Sequence, residues 1–172
     1  MRLLLLTICG AVVFQVANAT PITWTLSGAT FDDGATAVGS FVYDADAPLY
    51  SAINIVTSGG TYPGATFTVL DVPFGSFPIQ LVALPSGPVG LGTPALILVF
   101  SPVLTNTGGI AILMPGSQQA GCGSVDCVSL GPVRQLTSGS VISGSNVPEP
   151  STWSMLVAGM VLAGVARAKM RR

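Results

Sequence analysis

The residues with which this chain could do chemistry are few: two cysteines five positions apart, Cys122 and Cys127, seven acids, and a supply of serines. There is no histidine among the 172 residues, so neither a Ser-His-Asp nor a Cys-His nucleophile can be assembled, and no imidazole can ligate a metal. Two thiols alone make a poor zinc site, and the spacing of Cys122 and Cys127 is not the Cys-x-x-Cys of redox enzymes. Glu149 is the single glutamate, which excludes a glycosidase pair built from two of them. No Gly-x-Ser-x-Gly elbow is present. The pairs Asp32/Asp33 and Asp44/Asp46 could offer oxygen ligands to Ca²⁺ if their two turns met in space. The blander reading is that these carboxylates accept hydrogen bonds from their own turns. A hydrolase using aspartates alone ranks last, and no cofactor is expected.

Those residues are distributed very unevenly along the chain. Four of the six bases (Arg167, Lys169, Arg171 and Arg172) fall in the last six positions, whereas all seven acids lie between residues 20 and 150. Arg134 is the one base of that middle stretch, which is left at a net −6. A domain this acidic repels phosphate backbones and lacks the basic stripe that nonspecific binding needs, so nucleic acid is set aside as a partner. With 8% charged residues against about 25% in an ordinary soluble domain, a typical cytoplasmic enzyme is not expected either.

Both ends read as addresses. Met1-Arg2, an apolar run over 3–13 and the small-x-small site Ala17-Asn18-Ala19 before Thr20 are the three parts of a secretory signal peptide, cleaved after Ala19. A run of about 11 residues is too short for the roughly 30 Å hydrocarbon layer. Cys9 leaves with this segment, and in an exported protein the remaining pair, Cys122 and Cys127, is expected to close a loop disulfide. At the other end stand Pro148-Glu149-Pro150, an apolar segment over 151–166 and the closing basic cluster over 167–172. The prolines hold the tripeptide extended. Sixteen residues of helix would be about 24 Å long, a short span that local thinning and snorkelling of Arg167 and Lys169 could accommodate. The basic end should stay in the cytoplasm.

This order of features resembles the PEP-CTERM sorting signal of exopolysaccharide-producing Gram-negative bacteria. The resemblance implies that an exosortase, a membrane transpeptidase-like enzyme, processes the tail near Pro148, Glu149 and Pro150, after residues 151–166 have held the protein in the inner membrane. Glu149 is then a recognition element of a substrate. The stretch 30–46 is similar to an opening hairpin common in such exoproteins. A plain single-pass anchor is the alternative reading of the same tail.

Between the two addresses, residues 20–146 read as one all-β domain. Ile22, Trp24 and Leu26 alternate with polar neighbours, as do Ile53 and Ile55, Ala65, Phe67 and Val69, and Ile79, Leu81 and Ala83, predicting strands with one buried face. The unbroken apolar runs 95–100 and 110–114 predict strands covered on both faces. Turn signals at 32–34, 44–48, 58–60, 86–88 and 107–109 separate about eight strands, suggesting a β-sandwich, with the jelly-roll as one arrangement. Trp24, Phe31, Phe41, Tyr43, Tyr50 and Tyr62 are expected to be core, the alternative being a sugar-stacking platform. The expected function is that of a non-enzymatic surface or exopolysaccharide-matrix protein, or a carbohydrate-binding module with the same address.

Overall fold

A computed structural model describes residues 20–70, 77–127 and 129–144. Ala17, Ala19, Pro148, Glu149, Pro150, Arg167, Lys169, Arg171 and Arg172, and with them the signal peptide and the apolar tail segment, lie outside the described residues. Among the described residues there is no helix, and hence none long and apolar enough to cross a membrane. The described residues are all-β, and every strand pairing among them is antiparallel.

The described residues form ten strands where about eight are expected: β1 (Ile22–Phe31), β2 (Thr36–Asp44), β3 (Leu49–Ser58), β4 (Ala65–Phe67), β5 (Val69–Leu70), β6 (Gln80–Leu84), β7 (Pro94–Ser101), β8 (Gly109–Leu113), β9 (Gln118–Cys122) and β10 (Leu130–Ser143). They form one ladder in the order β4-β3-β2-β1-β10-β8-β7-β6-β5, with β9 pairing both β10 and β7. Two of the paths between neighbouring strands are interrupted. β8 and β9 are successive pieces of one path between β10 and β7, broken by the Pro115-Gly116 turn. There the buried Ser117 hydroxyl accepts from the Val99 N–H at 2.9 Å and donates to the Val99 carbonyl at 3.3 Å, replacing ladder bonds that the turn removes. β4 and β5 are likewise one stretch parted at Thr68: β4 pairs with β3, β5 pairs with β6, and the Thr68 N–H donates to the Leu84 carbonyl. The two edges of the ladder therefore meet at this residue.

The first hairpin follows its sequence closely. Ile22, Trp24 and Leu26 are buried and Thr23, Thr25 and Ser27 are exposed, and the chain turns at Asp32-Asp33-Gly34 into β2. The main core takes these side chains together with Phe41, Tyr43, Tyr50, Ile55, Phe67, Leu81, Leu96 and Leu98. Trp24, Phe31, Phe41, Tyr43 and Tyr50 are all buried, so the alternative of an exposed sugar-stacking platform built on them does not hold. Tyr43 and Tyr50 pack with ring centroids 4.6 Å apart inside the core.

Three expectations about strand faces are corrected. Leu81, Val82, Ala83 and Leu84 are all buried, so β6 is covered on both faces rather than one. Leu81 and Ala83 face the main core, while Leu84 joins Ala95 and the cysteine pair in a second small cluster that covers the opposite face. The reverse holds for 110–114. Ala111 and Leu113 are buried, but Ile110 and Ile112 are 63% and 59% exposed, because nothing among the described residues covers the outer face of β8. Val69, expected in phase with Phe67, is exposed because the chain changes partner strand at Thr68.

Candidate functional site

The lone base of the acidic stretch is the centre of the most elaborate polar cluster. Arg134, on β10, is 3% exposed. Its Nη2 donates to the Oε1 of Gln119, its cross-strand partner on β9, at 2.8 Å. Its Nη1 donates to Asp33 Oδ2 at 3.2 Å, to the Gly59 carbonyl at 3.1 Å and to the Tyr62 carbonyl at 3.4 Å. The guanidinium plane lies 4.4 Å from the centroid of the Phe31 ring. One side chain thus ties β10 and β9 to the β1–β2 turn and to the loop between β3 and β4. Gln119, fully buried, passes the connection on by donating from Nε2 to the Pro63 carbonyl. A planar fork with several donors is what such a junction needs, and a lysine could not supply it.

Asp33 is the anionic half. Burial pushes its carboxyl up, but the N–H groups of Ala35, Tyr62 and Thr61, with the Arg134 guanidinium, pull it down to about 2. A carboxyl held there stays ionised at neutral pH and cannot serve as a proton donor; its role is to organise the loop. Its neighbour Asp32 accepts from the Gln135 N–H, and the Asp32 N–H donates to the Gln135 carbonyl, docking the turn on β10. The sign of the pH dependence follows. A carboxyl whose folded pKa lies below its unfolded value stabilises the fold above the unfolded value and loses that contribution as pH falls toward the folded one. For Asp33 the window runs from its ordinary 3.8 to about 2. The Asp33→Asn variant is expected to show a shallower fall in melting temperature across that window than the parent protein. Parallel profiles would show that Asp33 carries none of the acid sensitivity.

Asp44 and Asp46 stand elsewhere. Asp44 ends β2 and Asp33 precedes its start, so the two turns lie at opposite ends of a nine-residue strand, roughly 25–30 Å apart at about 3.3 Å per residue. The structure does not bring Asp32/Asp33 and Asp44/Asp46 together, and among the described residues no group of three or more His, Cys, Asp or Glu could hold a metal ion. Asp44 Oδ1 instead accepts from Nδ2 of the buried Asn106 at 2.9 Å and from the Asp46 N–H at 2.9 Å. The Asn106 bond, with the Asp46 N–H second, holds the Asp44 carboxyl below its usual range. Asn106 Oδ1 accepts from the Ala45 N–H, so this asparagine fastens the β2–β3 turn to the loop before β8.

Cys122 and Cys127 form the expected disulfide, both buried, closing the loop that follows β9. Sequence reasoning singled out the cysteines and the acids but assigned no role to Arg134, Gln119 or Asn106. The available signal was compositional: one cation set among seven acids in an otherwise uncharged domain has a strong electrostatic reason to be paired.

Comparison with known proteins bears on the tail. The family model of the PEP-CTERM protein-sorting motif matches residues 146–172, one residue longer than the segment read from the sequence. No curated protein and no solved structure matches the chain significantly. The motif is the one by which exported proteins are sorted through an exosortase, and it holds Pro148, Glu149, Pro150 and the closing basic cluster. On this evidence the chain is a PEP-CTERM domain-containing protein.

Proposed function

We propose that this is a non-enzymatic exported protein of the cell surface or exopolysaccharide matrix, delivered in two stages by its terminal segments. The signal peptide starts translocation, and the apolar segment 151–166 with its four positive charges stops it. The acidic domain is then left outside the cytoplasm on an extended tether, held in the inner membrane until an exosortase acts near Pro148-Glu149-Pro150. The observation that carries this reading is the family match over 146–172, in a chain whose first 19 residues we read as an export signal. A domain with a loop closed by a disulfide suits an oxidising compartment. Its one ectodomain base is consumed in a structural junction, and Asp33 is locked in its ionised form, which supports a binding or structural role over catalysis. We read the architecture as a β-sandwich whose two layers share β7 and β10.

Replacing Pro148, Glu149 and Pro150 together with alanine is expected to leave the domain folded and the protein in the membrane fraction of its native host. The parent protein, by contrast, is released or moved to the surface. Fractionation followed by immunodetection reads the outcome, and normal release of the triple variant would overturn the proposal.

A further inference from the structure

Of the apolar side chains that the domain leaves in water, three stand side by side on β8 and β10. Ile110 and Ile112 on β8 share a face two residues apart, and Ile142 on β10 stands directly opposite Ile110 in the ladder. Their exposures are 63%, 59% and 41%. Isolated exposed apolar residues are ordinary, but adjacent ones on an open sheet face call for an occupant. The surrounding strand segments carry no charge: β1, β8 and residues 136–143 contain neither acid nor base. Two loops extend the apolar character at the same end. Asn106 binds the β2–β3 turn to the loop before β8, bringing exposed Leu49 and Val103 to this side, and the Tyr50 hydroxyl donates to the carbonyl of exposed Phe77.

The chain's own course says what lies nearby. Ile142 is two residues before Gly144, and the apolar tail segment begins at Ser151. Seven steps of extended chain reach at most roughly 25 Å. A surface so tethered meets the bilayer at high effective concentration, so contacts too weak to hold a free protein suffice. We infer that this face, centred on Ile110, Ile112 and Ile142, rests on the interfacial region of the lipid bilayer while the protein is tethered. The inference rests on the reading that residues 151–166 lie in the membrane. Among the described residues Asp44 and Asp46 stand at this end and no base does, so the surface suits zwitterionic lipid over anionic lipid.

The test uses the full chain, with Cys9→Ser, in phosphatidylcholine vesicles. An environment-sensitive fluorophore is attached at Ile112→Cys or, as control, at Leu91→Cys. Leu91 is 74% exposed and precedes β7 at the end of that strand remote from Ser101 and Ile112. Trp153 reports tail insertion through quenching by brominated acyl chains, against the constant background of the buried Trp24. With Trp153 quenched, the label at 112 should shift to the blue. It should also be quenched by headgroup-level spin-labelled lipid several-fold more than the label at 91. Equal, water-like signals at both positions with Trp153 quenched would overturn the inference alone. An unquenched Trp153 would overturn both it and the membrane reading. A blue shift at 112 that grows with protein density per vesicle would overturn it in favour of a second copy of the chain.

Discussion

Replacing Arg134 with methionine is expected to cost about 3–5 kcal/mol of unfolding free energy, the usual range for removing one partner of a buried ion pair. Methionine keeps most of the stem's volume, so the loss reports the guanidinium, its place over the Phe31 ring included. Without it the Gln119 side-chain oxygen and the carbonyls of Gly59 and Tyr62 each lose a donor, and Asp33 keeps its backbone donors but no counter-charge. Against a total stability of about 5–15 kcal/mol for a natural domain, the variant stands near the limit of folding. Its melting temperature should fall by roughly 10–20 °C. Arg134→Lys should recover only part of this, because an ammonium cannot address Asp33 and Gln119 in the same fork. Adding Asp33→Asn to Arg134→Met should restore some stability by removing the uncompensated anion. Thermal melts followed by circular dichroism measure all three, and a loss under about 1 kcal/mol would place the network with idle surface pairs.

Gly39→Ala should be comparably severe for a steric reason. Gly39 lies in β2 opposite Ile55 with φ +131, a conformation that side chains rarely adopt. A Cβ there would run into the Asn54 carbonyl oxygen and come to 2.8 Å from the Ile55 Cα. Both obstacles are backbone of the neighbouring strand and cannot swing aside. The strained backbone costs about 1–3 kcal/mol, and displacing β3 adds about 1–3 kcal/mol more. Gly28→Ala is the control: φ is +62 and nothing lies within 4 Å of the added carbon, so only the left-handed cost of about 1–2 kcal/mol remains. Equal melting temperatures for the two variants would refute the steric argument.

What could be read ahead of the structure was what depends on neighbours in sequence. The alternation in residues 22–27 and the Asp32-Asp33-Gly34 turn specify a hairpin locally, and both appear as expected. β10 was not anticipated. Its stretch holds two glycines, a proline and the isolated arginine and shows no clean alternation, yet it is the longest strand and lies between β1 on one side and β8 and β9 on the other. Which faces β6 and β8 bury was likewise misread. An apolar run reports that a strand can be covered, and its neighbours decide whether it is.

The sequence by itself determined the delivery address and the all-β character of the domain. A sorting tail is a linear signal whose order of proline, acid, apolar run and cations is its content, and turn residues act within a few bonds. Only the tertiary structure decided that Arg134 meets Asp33, 101 positions away, that Asn106 secures Asp44, and that the two aspartate turns stand apart. Those outcomes depend on strand order and register, which arise from many distant contacts formed together and leave no short-range trace in the chain.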